Sequence, residues 1–240
     1  MRKRAGAQPP SFALSPEFIV IKKRLVARLA VYVLGLLVLA FGVAFAINSN
    51  LGISPVNALP FAVHLASGAS MGLCTTAFLL LCIIFQIVLL RREFNWINLT
   101  QIIFSFIFGY FIEFAIFIVG DFTLAAYAGY FGQLIMLLIS IALIACGLAL
   151  YLEARLVSLP PEGVVLAITR KIIGGKFHVV KVITDSAFVV LALVVMLIFL
   201  GAIQGVREGT VLSALLIGRA IPPAKNAISF ILRKAGFYGV

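Results

Sequence analysis

Two proline-led stretches hold the polar side chains best suited to gripping a solute. SNLGISPVNALP (49–60) contains Ser54, Pro55 and Asn57, and LEARLVSLPPEG (152–163) contains Pro160, Pro161 and Glu162. Proline has no backbone N–H to donate, and the first position of a helix tolerates it because that group lacks an intrahelical partner anyway. Ser54-Pro55 therefore predicts a cap followed by a helix start, with Asn57 at the third helical position and Glu162 at the matching place in its own segment. Residues there commonly bond back to the capping backbone, as in a capping box. A helix start held inside a membrane has a second use. Its free N–H groups and about half a unit of positive dipole charge attract an anion or a carbonyl where no bulk water competes. Ser54, Asn57 and Glu162 are thus candidates for capping and for solute contact, and Glu162 for proton coupling as well.

Further ionisable residues lie in or near apolar runs. Glu113 falls about 16 residues into the third run, and Arg219 about ten into the last, roughly 15 Å deep. A lone charge at such depth costs roughly 2.5–3.5 kcal/mol on insertion scales, so both should face protein or water and both join the solute-binding candidates. For Arg219 the alternative is that Pro222-Pro223 ends its helix early and lets the side chain snorkel to the surface. Asp185 follows Lys181 by four residues, the spacing of a helical ion pair, and with His64 is a further proton-coupling candidate. His64 and His178 fall on opposite sides of the predicted threading and do not make a metal site. Cys74, Cys82 and Cys146 sit in apolar stretches without CxxC or Cys/His spacing. There is no nucleophile–base constellation and no phosphate-binding glycine loop, so neither an enzyme nor a cofactor is expected.

The elements that must position these residues are membrane helices. Of 240 residues, 63% are hydrophobic, and the mean hydropathy is +1.20, far outside the soluble globular range. The lipid bilayer is the partner this composition requires. A net charge of +11 could indicate nucleic acid, but the basic residues flank apolar runs, as they do when they orient a membrane chain. Six long apolar segments occur at 25–47, 71–90, 97–119, 130–152, 179–201 and 209–231. Two shorter ones, 55–67 and 160–173, are half-helices: at ~1.5 Å per residue they fall short of a ~30 Å hydrocarbon core. Residues 1–24 form a basic extension, either an unstructured tail or one with a short interfacial helix near 18–21. If each half-helix enters and leaves by one side and the amino terminus is inside, every basic residue but Arg207 lies on the inner side. That predicts a protein of the cytoplasmic membrane with both termini cytoplasmic.

The two halves echo each other. A shift of 105 residues aligns Gly42 with Gly147, Ala44 with Ala149, Leu51 with Leu156, Pro55 with Pro160 and Ala62 with Ala167. IFSFIFG (103–109) matches LSALLIG (212–218) at an offset of 109. Three spans is an odd number, so the second half must enter the membrane upside down. The expected fold is an all-α membrane protein of six transmembrane helices, built as two inverted three-helix repeats (25–119 and 130–231), each with a proline-led half-helix. Many transporters are built this way, with the solute site at the repeat interface.

The Gly52-Ile53-Ser54-Pro55 entry after the first helix and the later REGTVLSALLIG (207–218) resemble the YczE/YyaS/YitT group of bacterial multi-pass membrane proteins. Asn57, where that group leads one to expect an acidic residue, and Arg219 followed by Pro222-Pro223 depart from it. The resemblance implies location and topology and no substrate. The expected function is a secondary transporter for a small polar or anionic solute. A channel-like pore and an accessory protein that binds or stabilises a partner are the alternatives.

Overall fold

Apolar runs punctuated by proline, glycine and charge fold into helices, and the computed structural model describes them over residues 16–120, 125–173, 177–234 and 237. In chain order they are α1 (Pro16–Ser49), α2 (Pro55–Ser67), α3 (Met71–Leu90), α4 (Thr100–Val119), α5 (Ala125–Ala154), α6 (Pro160–Ile168), α7 (Phe177–Leu200) and α8 (Glu208–Lys234). Two 3₁₀ turns, Arg91–Glu93 and Trp96–Leu99, join α3 to α4, and α6 runs on into a π turn, Thr169–Ile173. Among the described residues there is no strand.

Local chemistry sets the ends. Each short helix opens on proline, and α2 stops where Gly68 turns into the left-handed region at φ 69, its N–H reaching the His64 carbonyl. Within α5, Gly129 (φ 54, ψ −138) breaks the helix in a conformation that costs other residues strain. The helix α1 starts at Pro16 and continues unbroken, so 16–24 run on into the first span. The remainder of the basic extension, 1–15, lies outside the described residues.

Among the described residues, five helices are long and apolar enough to cross a membrane: Leu25–Ser49, Met71–Glu93, Trp96–Val119, Ala128–Ala154 and Phe177–Leu200. The sixth expected span does not join them. At 27 residues α8 reaches about 40 Å, but Arg219, Pro222, Pro223, Lys225 and Asn226 dilute its apolar face and leave it amphipathic. Nor do the two prolines stop it, contrary to the early-ending alternative. The carbonyls they orphan, four residues back, belong to Gly218 and Arg219, both exposed, where other partners can serve them.

Helices α1 and α5 cross at small residues, as membrane helices do when close packing rather than apolar burial drives association. A Cβ on Gly35 would lie 2.7 Å from the Tyr151 nitrogen, and one on Gly147 2.6 Å from the Leu39 nitrogen. Nearby, Ser140 Oγ donates to the Gly42 carbonyl at 2.7 Å. Around this pair α4 packs on α1, α8 on α5, α2 on α7 and α6 on α3.

Polar clasps close both ends of the bundle. At one, Gly209 N donates to the Leu51 carbonyl (2.9 Å), Arg207 Nη1 to the Asn50 carbonyl (3.2 Å), and Asn48 Nδ2 to the Gly120 carbonyl (2.7 Å). The Gly52–Pro55 entry is thereby docked on the start of α8. At the other, Lys171 pairs with Glu93 at 2.6 Å and Lys225 with the buried Glu153 at 3.6 Å.

Candidate functional site

The residues preceding the two proline-led starts share one conformation. Ser54 (φ −62, ψ 148) and Leu159 (φ −63, ψ 150) are extended because the following proline ring excludes the helical region. Ser54 makes no side-chain bond to the helix backbone; its hydroxyl instead accepts from Asn57 Nδ2 at 2.9 Å. At the other start, Glu162 Oε2 accepts from the hydroxyl of Tyr151, a buried residue in the last turn of α5. The start of α6 is held from α3 by Gln86, whose Nε2 donates to the Pro160 carbonyl (3.0 Å) and to Gln101 Oε1 (3.2 Å). Gly163 is the residue that lets this amide approach, since a Cβ there would overlap it.

Between the two starts lies a cavity of about 440 Å³, within the range of small-molecule sites. Its polar wall is Ser54, Asn57, Thr75, Tyr151 and Glu162 with His178, Lys181 and Asp185 of α7 and Ser213 of α8. The remaining lining is mostly apolar and includes Leu39, Phe78, Phe108, Ile144 and Ile217. Lys181 and Asp185 form an ion pair at 3.2 Å along one face of α7. Thr75 is 1% exposed, and its hydroxyl has no hydrogen-bond partner among the described residues. Leaving such a group unmatched costs about 1–3 kcal/mol, which a bound molecule could recover.

The structure therefore brings together Ser54, Asn57, Glu162 and Asp185. It does not bring Glu113, Arg219 or His64 to them. Glu113 Oε1 accepts from the Gly72 N–H in the first turn of α3, where a carboxylate satisfies an orphan donor and complements the helix dipole. Arg219 is exposed on α8, beside the lining residue Gly218 but outside the lining itself. His64 closes the far end of α2, with Nδ1 on the Ala69 carbonyl and the ring beside Phe61. Glu113→Ala is accordingly expected to lower thermal stability by about 0.5–2 kcal/mol, read as a melting shift in detergent, with solute binding unchanged. Lost binding at unchanged stability would place Glu113 in the site after all.

Thr75, Tyr151 and His178 are lining residues that sequence reasoning passes over, and it sees Lys181 only as a partner for Asp185. The Thr75-Thr76 pair inside an apolar run was the available signal for one of them. For Tyr151 nothing in the spacing points to Glu162.

The model of a family of unknown function, DUF6198, matches residues 26–224. The chain is also 30% identical over 152 residues to the "Uncharacterized membrane protein YczE" of Bacillus subtilis (strain 168), an alignment covering 63% of this chain and 67% of that protein. The likeness to the YczE group is thus one of homology. No solved structure matches. With five helices able to span a bilayer, the chain is a multi-pass membrane protein.

Proposed function

Because the chain belongs to the DUF6198 family, whose function is unknown, we propose an activity from its own geometry: secondary transport of a small polar solute across the cytoplasmic membrane. One observation carries this proposal. Two half-helices too short to span a bilayer both begin in one cavity, which is lined by polar residues inside an apolar bundle.

Packing supports two inverted repeats, α1 to α4 and α5 to α8, with α8 as the third and least apolar span of its half. Exchanging the repeats turns the contact of α1 with α4 into that of α5 with α8, and that of α2 with α7 into that of α6 with α3. Under the shift of 105, Gly35 maps to Ser140 and Gly42 to Gly147. Gly35 packs on Gly147 and Gly42 on Ser140, the reciprocal pairing that a two-fold axis demands. The clasps support the threading too. Asn48, Asn50, Gly120 and Arg207 meet at the end expected outside, while Glu93, Glu153, Lys171 and Lys225 meet at the end expected inside. Both termini then face the cytoplasm.

One pair breaks the symmetry. Gly72 and Gly109 hold α3 against α4, a Cβ on Gly109 falling 2.7 Å from the Gly72 carbonyl, whereas α8 does not pack along α7. Gly218, the counterpart of Gly109, faces open space, and the cavity runs between α7 and α8 to the exposed Phe177 and His178. In the proposed cycle this is the inward-open state. Closing α8 on α7 while α4 leaves α3 exposes the site outward.

The mostly apolar lining favours a carrier over a pore, which would need a continuous polar path. A panel of amines, zwitterions and anions screened for thermal stabilisation of the purified protein supplies the solute, and uptake into proteoliposomes then decides. Saturable uptake is expected. Non-saturating conductance would favour a pore, and no uptake of any stabilising solute would remove transport.

A further inference from the structure

We infer that the cavity selects an organic monocation, a protonated amine on an apolar body of about ten heavy atoms. This deepens the carrier proposal and rests on its assignment of the cavity as the solute site. Two carboxylates, Glu162 and Asp185, face one ammonium, Lys181, and that ammonium is committed to Asp185 at 3.2 Å. Glu162 is held by neutral donors, the Tyr151 hydroxyl and the Leu159 N–H. Among these three side chains the carboxylates therefore outnumber the ammonium by one.

The helix starts do not offset that excess. Prolines 160 and 161 delete two of the four free N–H groups at α6, and a third, that of the capping residue Leu159, is taken by the Glu162 carboxylate. Only the Glu162 amide is left, beneath its own carboxylate. At α2, Pro55 removes one donor and Asn57 N bonds the Ser54 carbonyl. An anion entering here would be a third negative charge with few donors to hold it. An ammonium would find the Glu162 carboxylate, which has no ion-pair partner within 4 Å among the described residues, and the unmatched, 1% exposed hydroxyl of Thr75, an acceptor that no described residue uses. Leu39, Phe78, Phe108 and Ile144 take the apolar body. The anion that a bare pair of helix dipoles would attract is displaced by the side chains actually mounted on them.

Three probes of one shape test this: 4-phenylbutylamine, 4-phenylbutanol and 4-phenylbutyrate, titrated against the full chain in detergent with the melting temperature as readout. The amine is expected to half-saturate at a concentration at least about tenfold below the alcohol, with the butyrate weakest. Glu162→Gln and Asp185→Asn each remove one negative charge and should each abolish the amine's advantage, so the test survives if one variant fails to fold. Butyrate equal to or better than amine, or an amine preference that persists in both variants, overturns the proposal. The two proposals fail separately. Amine binding without uptake into proteoliposomes leaves a cation site and removes the carrier; saturable uptake with an anion preference does the reverse.

Discussion

Glu162→Gln is expected to reduce saturable flux by at least about thirtyfold while expression and melting temperature stay close to wild type. The glutamine carbonyl still accepts from Tyr151, so the bond that fixes the start of α6 survives and its shape is unchanged. What disappears is the negative charge beside the solute. The comparison is made on flux per folded protein, with a solute that stabilises the wild type. If the variant melts early yet its folded fraction transports normally, Glu162 is a capping residue and nothing more. Asn57→Ala gives the scale at the opposite start. It loses a neutral side-chain clasp to Ser54, worth about 0.5–1.5 kcal/mol, and should impair flux much less.

The second large effect concerns the gap between α7 and α8. Gly218→Phe should cut flux at least about tenfold at undiminished stability. Nothing lies within 4 Å of a Cβ at Gly218, so the ring has room in the state described. Replacing an exposed helical glycine even favours the helix, by a few tenths of a kcal/mol. Closing α8 onto α7 is another matter, because a phenyl group would then occupy the place that Gly109 keeps free between α4 and α3. The matched variant, Gly109→Phe, should instead unfold the protein, since the added atoms run into Thr76 and the Gly72 carbonyl. Unimpaired flux in Gly218→Phe would mean that α7 and α8 do not close during transport.

The half-helices were legible because proline and glycine punctuate them, each element beginning at the proline that the sequence marks. Ser54, Asn57 and Glu162 could be related to one another through the 105-residue echo, which needs no knowledge of side-chain direction. Where direction matters, the sequence was silent. Glu113 sits on a helix whose apolar residues cover every face, so no periodicity reveals that it turns toward Gly72 on a neighbouring helix. Arg219 was hard to place for a related reason. The three leucines and one isoleucine of 211–217 make α8 read as a span, while Arg219, Lys225 and the proline pair give it a polar face that averaging hides. Tyr151 and Thr75 enter the site through contacts between helices distant in sequence, and no local pattern encodes such contacts.

The opposed entry of α2 and α6 is the central claim, and sidedness of labelling tests it most directly. Cys74, Cys82 and Cys146 would first be replaced, and single cysteines placed at Ser67, the end of α2, and at Lys171, in the turn after α6. A membrane-impermeant maleimide applied to intact cells should label Ser67→Cys, and should reach Lys171→Cys only in inverted vesicles. Labelling of both positions from the same side would contradict the inverted arrangement, and with it the meeting of two oppositely entering helix starts in one transport site.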